Sequence, residues 1–201
     1  MSNSRKEEIV LVTLELAAEK GLANVSMSMI ADKIGIKKSS LYKHFASKEE
    51  IVEAMYELLR KQAKEKVNIK PIDYSILFQG KTAYEVLKTV VSGYVQMNHQ
   101  TELLNFYRVI YSERSLEPMA ARIVVEETKK MMLATKQLFY AMEEHKLLHF
   151  ENPDMSAVSF AMTIHGLMDY ELDQSNGNCV SESDKNLLED YLRWFCEGNA
   201  V

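Results

Sequence analysis

The chain has 201 residues, 47% of them apolar and 26% charged, with a formal net charge of −5. Those proportions sit near the globular average and exclude extensive disorder, and the lack of any eighteen-residue apolar stretch excludes a spanning helix. Seven Gly and three Pro are few for this length, and the two cysteines, Cys179 and Cys196, lack metal-ligand spacing. With no apolar run and cleavage site at the N-terminus, the expectation is a soluble, reduced, cytoplasmic and all-α protein.

The first predicted helix runs from Arg5 to Lys20, with Ile9, Val12, Leu16 and Ala17 on one face and Gly21 as its stop. Ser26 caps a second helix whose Met27, Ile30, Ala31 and Ile34 turn inward. Gly35 permits the left-handed backbone of a tight turn, and Ile36 plugs the gap between the helices. The third helix, Lys38 to Phe45, buries Leu41 and Phe45 and exposes the residues between them. Ser47 and Glu50 form a capping box that opens a fourth helix, continuing to Lys66.

Residues 68–80, with Pro71 and Gly80, read as a connector that includes a turn of helix. Helices follow over Thr82–His99, carrying Val86, Val90, Tyr94 and Met97, and over Glu102–Arg114, carrying Leu103, Phe106, Tyr107, Ile110 and Tyr111. Pro118 starts a long helix to Leu148 that includes Met131, Met132, Leu138, Phe139 and Met142. Asn152-Pro153-Asp154 breaks the chain before an apolar helix over Met155–Leu172. A polar loop, SNGNCVSESD, precedes a last helix over Lys185–Glu197. The total is about nine helices and no convincing strand alternation. The predicted organisation is an N-terminal domain over residues 1–47, a linking helix over 48–66, and a larger helical domain over 67–201.

Two short amphipathic helices joined at Gly35 make a helix-turn-helix, which places one helix in the major groove of DNA. The charge supports this locally: between Lys33 and Lys48 lie five lysines (33, 37, 38, 43 and 48) and His44, with no Asp or Glu. Residues 1–50 carry eight Lys/Arg against seven Asp/Glu, a net of +1, which leaves −6 on the remaining 151. A basic patch on an acidic body still binds phosphates, because screening limits distant charge to about 8–10 Å.

The segment Ile9 to Met55 resembles the DNA-binding domain of TetR-family transcriptional regulators. The resemblance rests on Ile9 and Leu16, Gly21, Ile30-Ala31, Gly35, Leu41-Tyr42, Phe45, and Ser47-Lys48-Glu49-Glu50 before Ile51. It implies a C-terminal domain that binds a small molecule and forms a homodimer. Three positions depart from the family pattern. Ala17 stands where Phe is usual and Thr13 where Ala is frequent, so the first helix packs less fully. Lys37 replaces a Ser or Thr cap with a positive charge.

The predicted DNA-binding residues follow from both readings. Lys37 and Lys38 reach phosphate or guanine acceptors, Ser39 and Ser40 bond bases or phosphates, and Lys43 and His44 lie one turn further on. The resemblance gives Tyr42 a backbone contact and Lys48 a phosphate clamp; packing on the first helix and a solvated charge are the alternatives. Ser26 and Ser28 are backbone contacts from the second helix, with a pure capping role for Ser26 as the equal alternative. Two protomers would set their recognition helices about 34–36 Å apart on a near-palindromic operator in double-stranded DNA. The dimer surface is sought in the last two helices, in Ala157, Ala161, Met162, Ile164 and Met168 beside Leu188, Tyr191, Leu192 and Phe195.

A small-molecule effector would be lined by Tyr94, Met97, Phe106, Tyr107, Tyr111, Met131, Phe139 and Met162, although such stripes are more often core. His165 and Asp169, four apart, either orient the effector or form a structural pair. No cofactor or metal is called for. The alternatives from other classes are a metal-dependent helical enzyme built on His145 and His149, and a helix-turn-helix used for protein contacts; neither has a supporting motif.

Overall fold

The computed structural model describes residues 2–67, 73–98, 101–181, 184 and 186–201. Among them are ten α-helices, one 3-10 turn and no strand. In chain order these are α1 Ser2–Lys20, the 3-10 turn Leu22–Asn24, α2 Met27–Ile34, α3 Lys38–Leu41, α4 Lys48–Val67 and α5 Tyr74–Phe78. Then follow α6 Ala83–Asn98, α7 Thr101–Glu113, α8 Pro118–Glu144, α9 Pro153–Gly177 and α10 Leu187–Gly198. The chain is all-α, as the sequence predicts. The connector falls partly outside the described residues, Pro71 included.

Helix ends account for most departures from the expected boundaries. Helix α8 stops at Glu144 rather than Leu148. Lys146 there takes φ 56°, and the Leu147 amide bonds back to the Met142 carbonyl at 2.9 Å. That is a Schellman stop without glycine, so the sequence carries no signal for it. Asn152-Pro153 does not merely break the chain; it starts α9, with Asn152 accepting from the Met155 amide and Pro153 in the first turn. Helix α9 also continues through Ser175-Asn176-Gly177, past the expected Leu172, until Asn178 turns left-handed at φ 50°. Thr82 and Glu85 cap α6 reciprocally, through bonds of 2.8 Å and 3.3 Å.

Two compact units divide the chain: residues 1–69 with 97–127, and residues 70–96 with 128–201. In the first, α1, α2, α3 and α4 pack around Ile9, Leu16, Ile30, Leu41 and Ile51, and α7 lies on α1 and α4 through Leu103, Phe106 and Ile110. Compactness therefore groups α7 with the N-terminal helices, although it follows the connector in sequence. Thr13 is fully buried, with its hydroxyl returned to the Ile9 carbonyl at 2.7 Å, and Ala17 is buried beside it.

The second unit is built on phenylalanine. Phe139 stacks on Phe150 with centroids 4.5 Å apart and meets Phe160 and Phe195 at 5.3 Å and 5.5 Å. Val86, Leu87, Met142 and Leu148 complete that core. Each ring removes a large apolar area from water, and edge-to-face or offset contacts add to that burial. Ala157, Ile164, Leu192 and Phe195, sought as dimer surface, are spent inside this core instead, and Ala161 is buried as well.

Candidate nucleic-acid interface

Helix α2 begins where the Ser26 Oγ accepts from the Met29 amide at 3.3 Å, so Ser26 acts as its cap. It ends in a Schellman motif: Gly35 sits at φ 74° and ψ 34°, its amide reaches Asp32, and the Ile36 amide reaches Ala31. The next residue that can start a helix is Lys37, which lies extended and offers no side-chain cap. The trade of a cap for a charge predicted at Lys37 is thus visible in the backbone.

Helix α3 is a single α turn over Lys38–Leu41, shorter than the expected Lys38–Phe45. Lys43 and His44 bond three residues back, to Ser40 and Leu41, so the segment tightens towards 3-10 geometry before Phe45. Leu41 and Phe45 are buried and fix its rotation. Everything else follows from that pair. Lys37, Lys38, Ser39, Tyr42 and Lys43 are exposed, Ser40 and His44 half-buried. Tyr42 is 46% exposed, with the Lys38 ammonium 5.9 Å from its ring centre. Among the described residues no carboxylate pairs with Lys37, Lys38 or Lys43, whereas Lys33 pairs with Glu15 at 3.3 Å. The cations on α3 are therefore available to an outside anion.

Ser28 on α2 is half-buried. At the far side of the motif, Glu50 and Ser47 form the expected box with a variation. The Glu50 amide bonds Ser47 Oγ at 3.3 Å, while the Glu50 carboxylate accepts from the Ala46 amide at 2.5 Å. Lys48 is half-buried, and its ammonium donates to the Leu22 carbonyl at 3.0 Å. One of its three donors thus ties α4 to the 3-10 turn.

Two inward-facing polar devices lie behind this surface, and the sequence reading singled out neither. Glu113, at the end of α7, is buried and accepts from the Leu22 amide at 3.0 Å. Glu127 on α8 accepts from Tyr56 at 2.5 Å and Tyr107 at 2.7 Å. Arg60 on α4 brings Nε to 3.1 Å from Glu127, with side chains 12% and 11% exposed respectively. That approach is close but misaligned: among the described residues, neither Arg60 Nε nor Nη1 has a hydrogen-bond partner. A buried donor left unsatisfied costs about 1–3 kcal/mol, more when charged. Burial first, then the bond to Glu127, holds the Tyr56 phenol well above its usual range.

The residues singled out for an effector are dispersed. Phe106 is fully buried, in ring contact with Tyr56 and Tyr107 at 6.1 Å and 5.7 Å, and Tyr107 meets Tyr111 at 6.4 Å. Those belong to the first unit. In the second, Tyr94 and Met131 are half-buried, Phe139 is at the centre of its core, and Met162 is 51% exposed. His165 and Asp169 approach to 3.6 Å. The Met97 side chain lies outside the described residues. His149 lies 3.6 Å from Glu143, and His145 meets the edge of Phe78. No metal-binding cluster of three or more His, Cys, Asp or Glu is found among the described residues.

Comparison with known proteins adds the following. A family model described as bacterial regulatory proteins, tetR family, matches residues 9–55. A second, the C-terminal domain of AefR-like transcriptional repressors, matches residues 85–172, and between them they take in more than half of the chain. The HTH-type transcriptional repressor KstR2 of Mycobacterium tuberculosis is 48% identical over 58 residues, 29% of this chain and 28% of KstR2. The aligned part is thus little more than a quarter of that relative's length. Among solved structures, GusR of Salmonella enterica superposes with a TM-score of 0.69 at 18% identity, over 96% of this chain and 95% of GusR. The SmeT–triclosan complex gives 0.70 at 13% identity, over 94% of this chain and 90% of SmeT. At such identities the structural likeness speaks for the fold.

Proposed function

The chain belongs to the TetR family of transcriptional regulators, and from that premise we propose that it is a cytoplasmic homodimeric repressor, released from its operator by a small molecule. One observation carries the DNA-binding part: the burial of Leu41 and Phe45 turns Lys37, Lys38, Ser39, Tyr42 and Lys43 outward together, with the lysines unspent on carboxylates among the described residues.

In this reading α3 enters the major groove. Lys37, Lys38 and Ser39 face base edges or phosphates, and Tyr42 and Lys43 follow the backbone. Ser40 and His44, half-buried, contribute at the margin of the surface. Ser26 and Ser28 meet the flanking phosphates, and Ser26 keeps its cap while doing so. Lys48 holds Leu22 with one donor and a phosphate with another. Protein and DNA then meet twice, once per protomer, on a near-palindromic double-stranded operator.

For the effector reading each unit is taken by itself: Tyr107 and Tyr111 in the first, and Tyr94, Met131, His165 and Asp169 in the second, are half-buried, whereas Phe106 and Phe139 are engaged by neighbouring rings and Met162 faces solvent. The triclosan complex of SmeT, whose fold the chain shares, is in line with a small-molecule effector. To act decisively, such a ligand must favour the DNA-incompetent state by about 1–3 kcal/mol.

Selecting fragments of the source genome on the immobilised full-length chain tests the proposal. Enrichment of a near-palindrome, with binding that weakens steeply as salt rises, is the expected result. Lys48→Ala should weaken binding to every selected fragment alike and reduce the salt slope by about one. Fragments without common sequence, or binding indifferent to salt, would refute the DNA-binding reading.

A further inference from the structure

We propose that Arg60 is the anchor for an organic monocarboxylate, the chemical class of this regulator's effector, a reading that rests on the effector-controlled function above. Arg60 offers a guanidinium whose Nη1 is buried without a hydrogen-bond partner among the described residues. A guanidinium presents five N–H donors in a planar fork suited to a carboxylate, and its approach to Glu127 is misaligned.

The surroundings narrow the ligand. Two phenols, Tyr56 and Tyr107, already donate to Glu127, so its charge is partly satisfied without Arg60. On α4 the preceding Leu59 is buried, and Tyr56, one turn before Arg60, is buried with its ring in contact with Phe106. Arg60 and Glu127 cancel in charge and the Glu57 carboxylate also acts on the Tyr56 phenol, so there is no excess positive charge to hold a phosphate dianion. A monoanion is the smaller load, and an aliphatic or aromatic body suits the rings. Arg60 also lies on α4, about 18 Å along the helix from Lys48. An acid bound there acts on the element that carries the DNA-binding residue itself.

The test is the melting midpoint of the full-length chain with sodium carboxylates from butanoate to decanoate, benzoate and phenylacetate, each beside its primary amide. At least one acid should raise the midpoint saturably where its amide does not. Arg60→Gln should raise the half-saturating concentration about tenfold or more, as expected for loss of a charge-assisted pair. Glu127→Gln should lower it, because the repelling charge is gone, and a merely structural role would not produce these opposite signs. The proposal is overturned if no acid stabilises the chain, if amides act as well as acids, or if Arg60→Gln responds like the native chain. Should Arg60→Gln not fold, Glu127→Gln decides alone: a lower half-saturating concentration supports the proposal, an unchanged or higher one overturns it. Binding of the ligand-free chain to its selected DNA is measured in parallel. Failure there strikes the regulator reading, while the acid response is judged on its own.

Discussion

Gly21 and Gly35 both have positive φ, 79° and 74°, yet their surroundings differ. At Gly35 the backbone is in the left-handed helical well, and a Cβ would meet nothing within 4 Å. Gly35→Ala should therefore cost only the conformational penalty, on the order of 1 kcal/mol. Gly21 has ψ 142°, a region that is essentially glycine's own, and a Cβ there would come to 3.2 Å from Glu113 Oε1. That oxygen cannot simply swing aside, because it is the acceptor for the Leu22 amide. Gly21→Ala should thus lower stability by several kcal/mol, adding backbone strain of about 1–3 kcal/mol to a disturbed buried bond. Paired thermal and denaturant melts measure the difference; equal losses at the two glycines would contradict the argument.

Helix α7 meets the DNA-binding motif through a polar contact with a definite acceptor, Glu113 on the Leu22 amide. Glu113→Ala should cost about 1–3 kcal/mol by orphaning that buried amide, and Glu113→Gln, which retains a carbonyl acceptor, much less. Chemical denaturation of the two variants separates them; a Gln variant as unstable as Ala would mean that charge, not the hydrogen bond, matters. The register of Glu113 was open to sequence reasoning. Leu103, Phe106, Ile110 and Glu113 are one helical face, as are Val52, Tyr56 and Arg60 on α4, and Ala120, Ile123 and Glu127 on α8. In each case an ionisable residue continues an apolar stripe, which signals a buried polar contact. The motif itself, from Ser26 to Glu50, was legible because Ser26, Gly35, Ser47 and Glu50 mark its ends and turn with local chemistry, although Lys37 gives α3 no side-chain cap. The end of α8 was not, since a lysine fills the left-handed position there. Nor was the tightening of α3 after Leu41, which no residue type announces. The effector residues were least legible: Met and aromatic stripes read alike whether they fill a core, as Phe139 does, or remain half-exposed, as Met131 does.

At the scale of the molecule, the question is what covers the outer faces of α9 and α10. Their inner faces close the phenylalanine core, yet α9 leaves Met155, Val158 and Met162 exposed at helical spacing, and α10 leaves Leu187 and Trp194 seven residues apart. Apolar side chains grouped this way mark an association surface more often than a solvent face. Two protomers meeting here would form the four-helix interface the operator reading requires. Trp194 is the chain's only tryptophan and is 66% exposed in the protomer, so its emission reports on this surface alone. On concentration from the nanomolar to the micromolar range, the emission should shift to the blue as the chain changes from monomer to dimer in the ultracentrifuge. Met162→Glu places two carboxylates against the apolar partner face and should leave a folded monomer with red emission at every concentration. Its affinity for a two-half-site operator should fall by about two orders of magnitude or more, because the second half-site is no longer reached as an intramolecular event. A dimer that persists in Met162→Glu with Trp194 still solvated would place the interface on another face, and the same DNA titration would then show no loss.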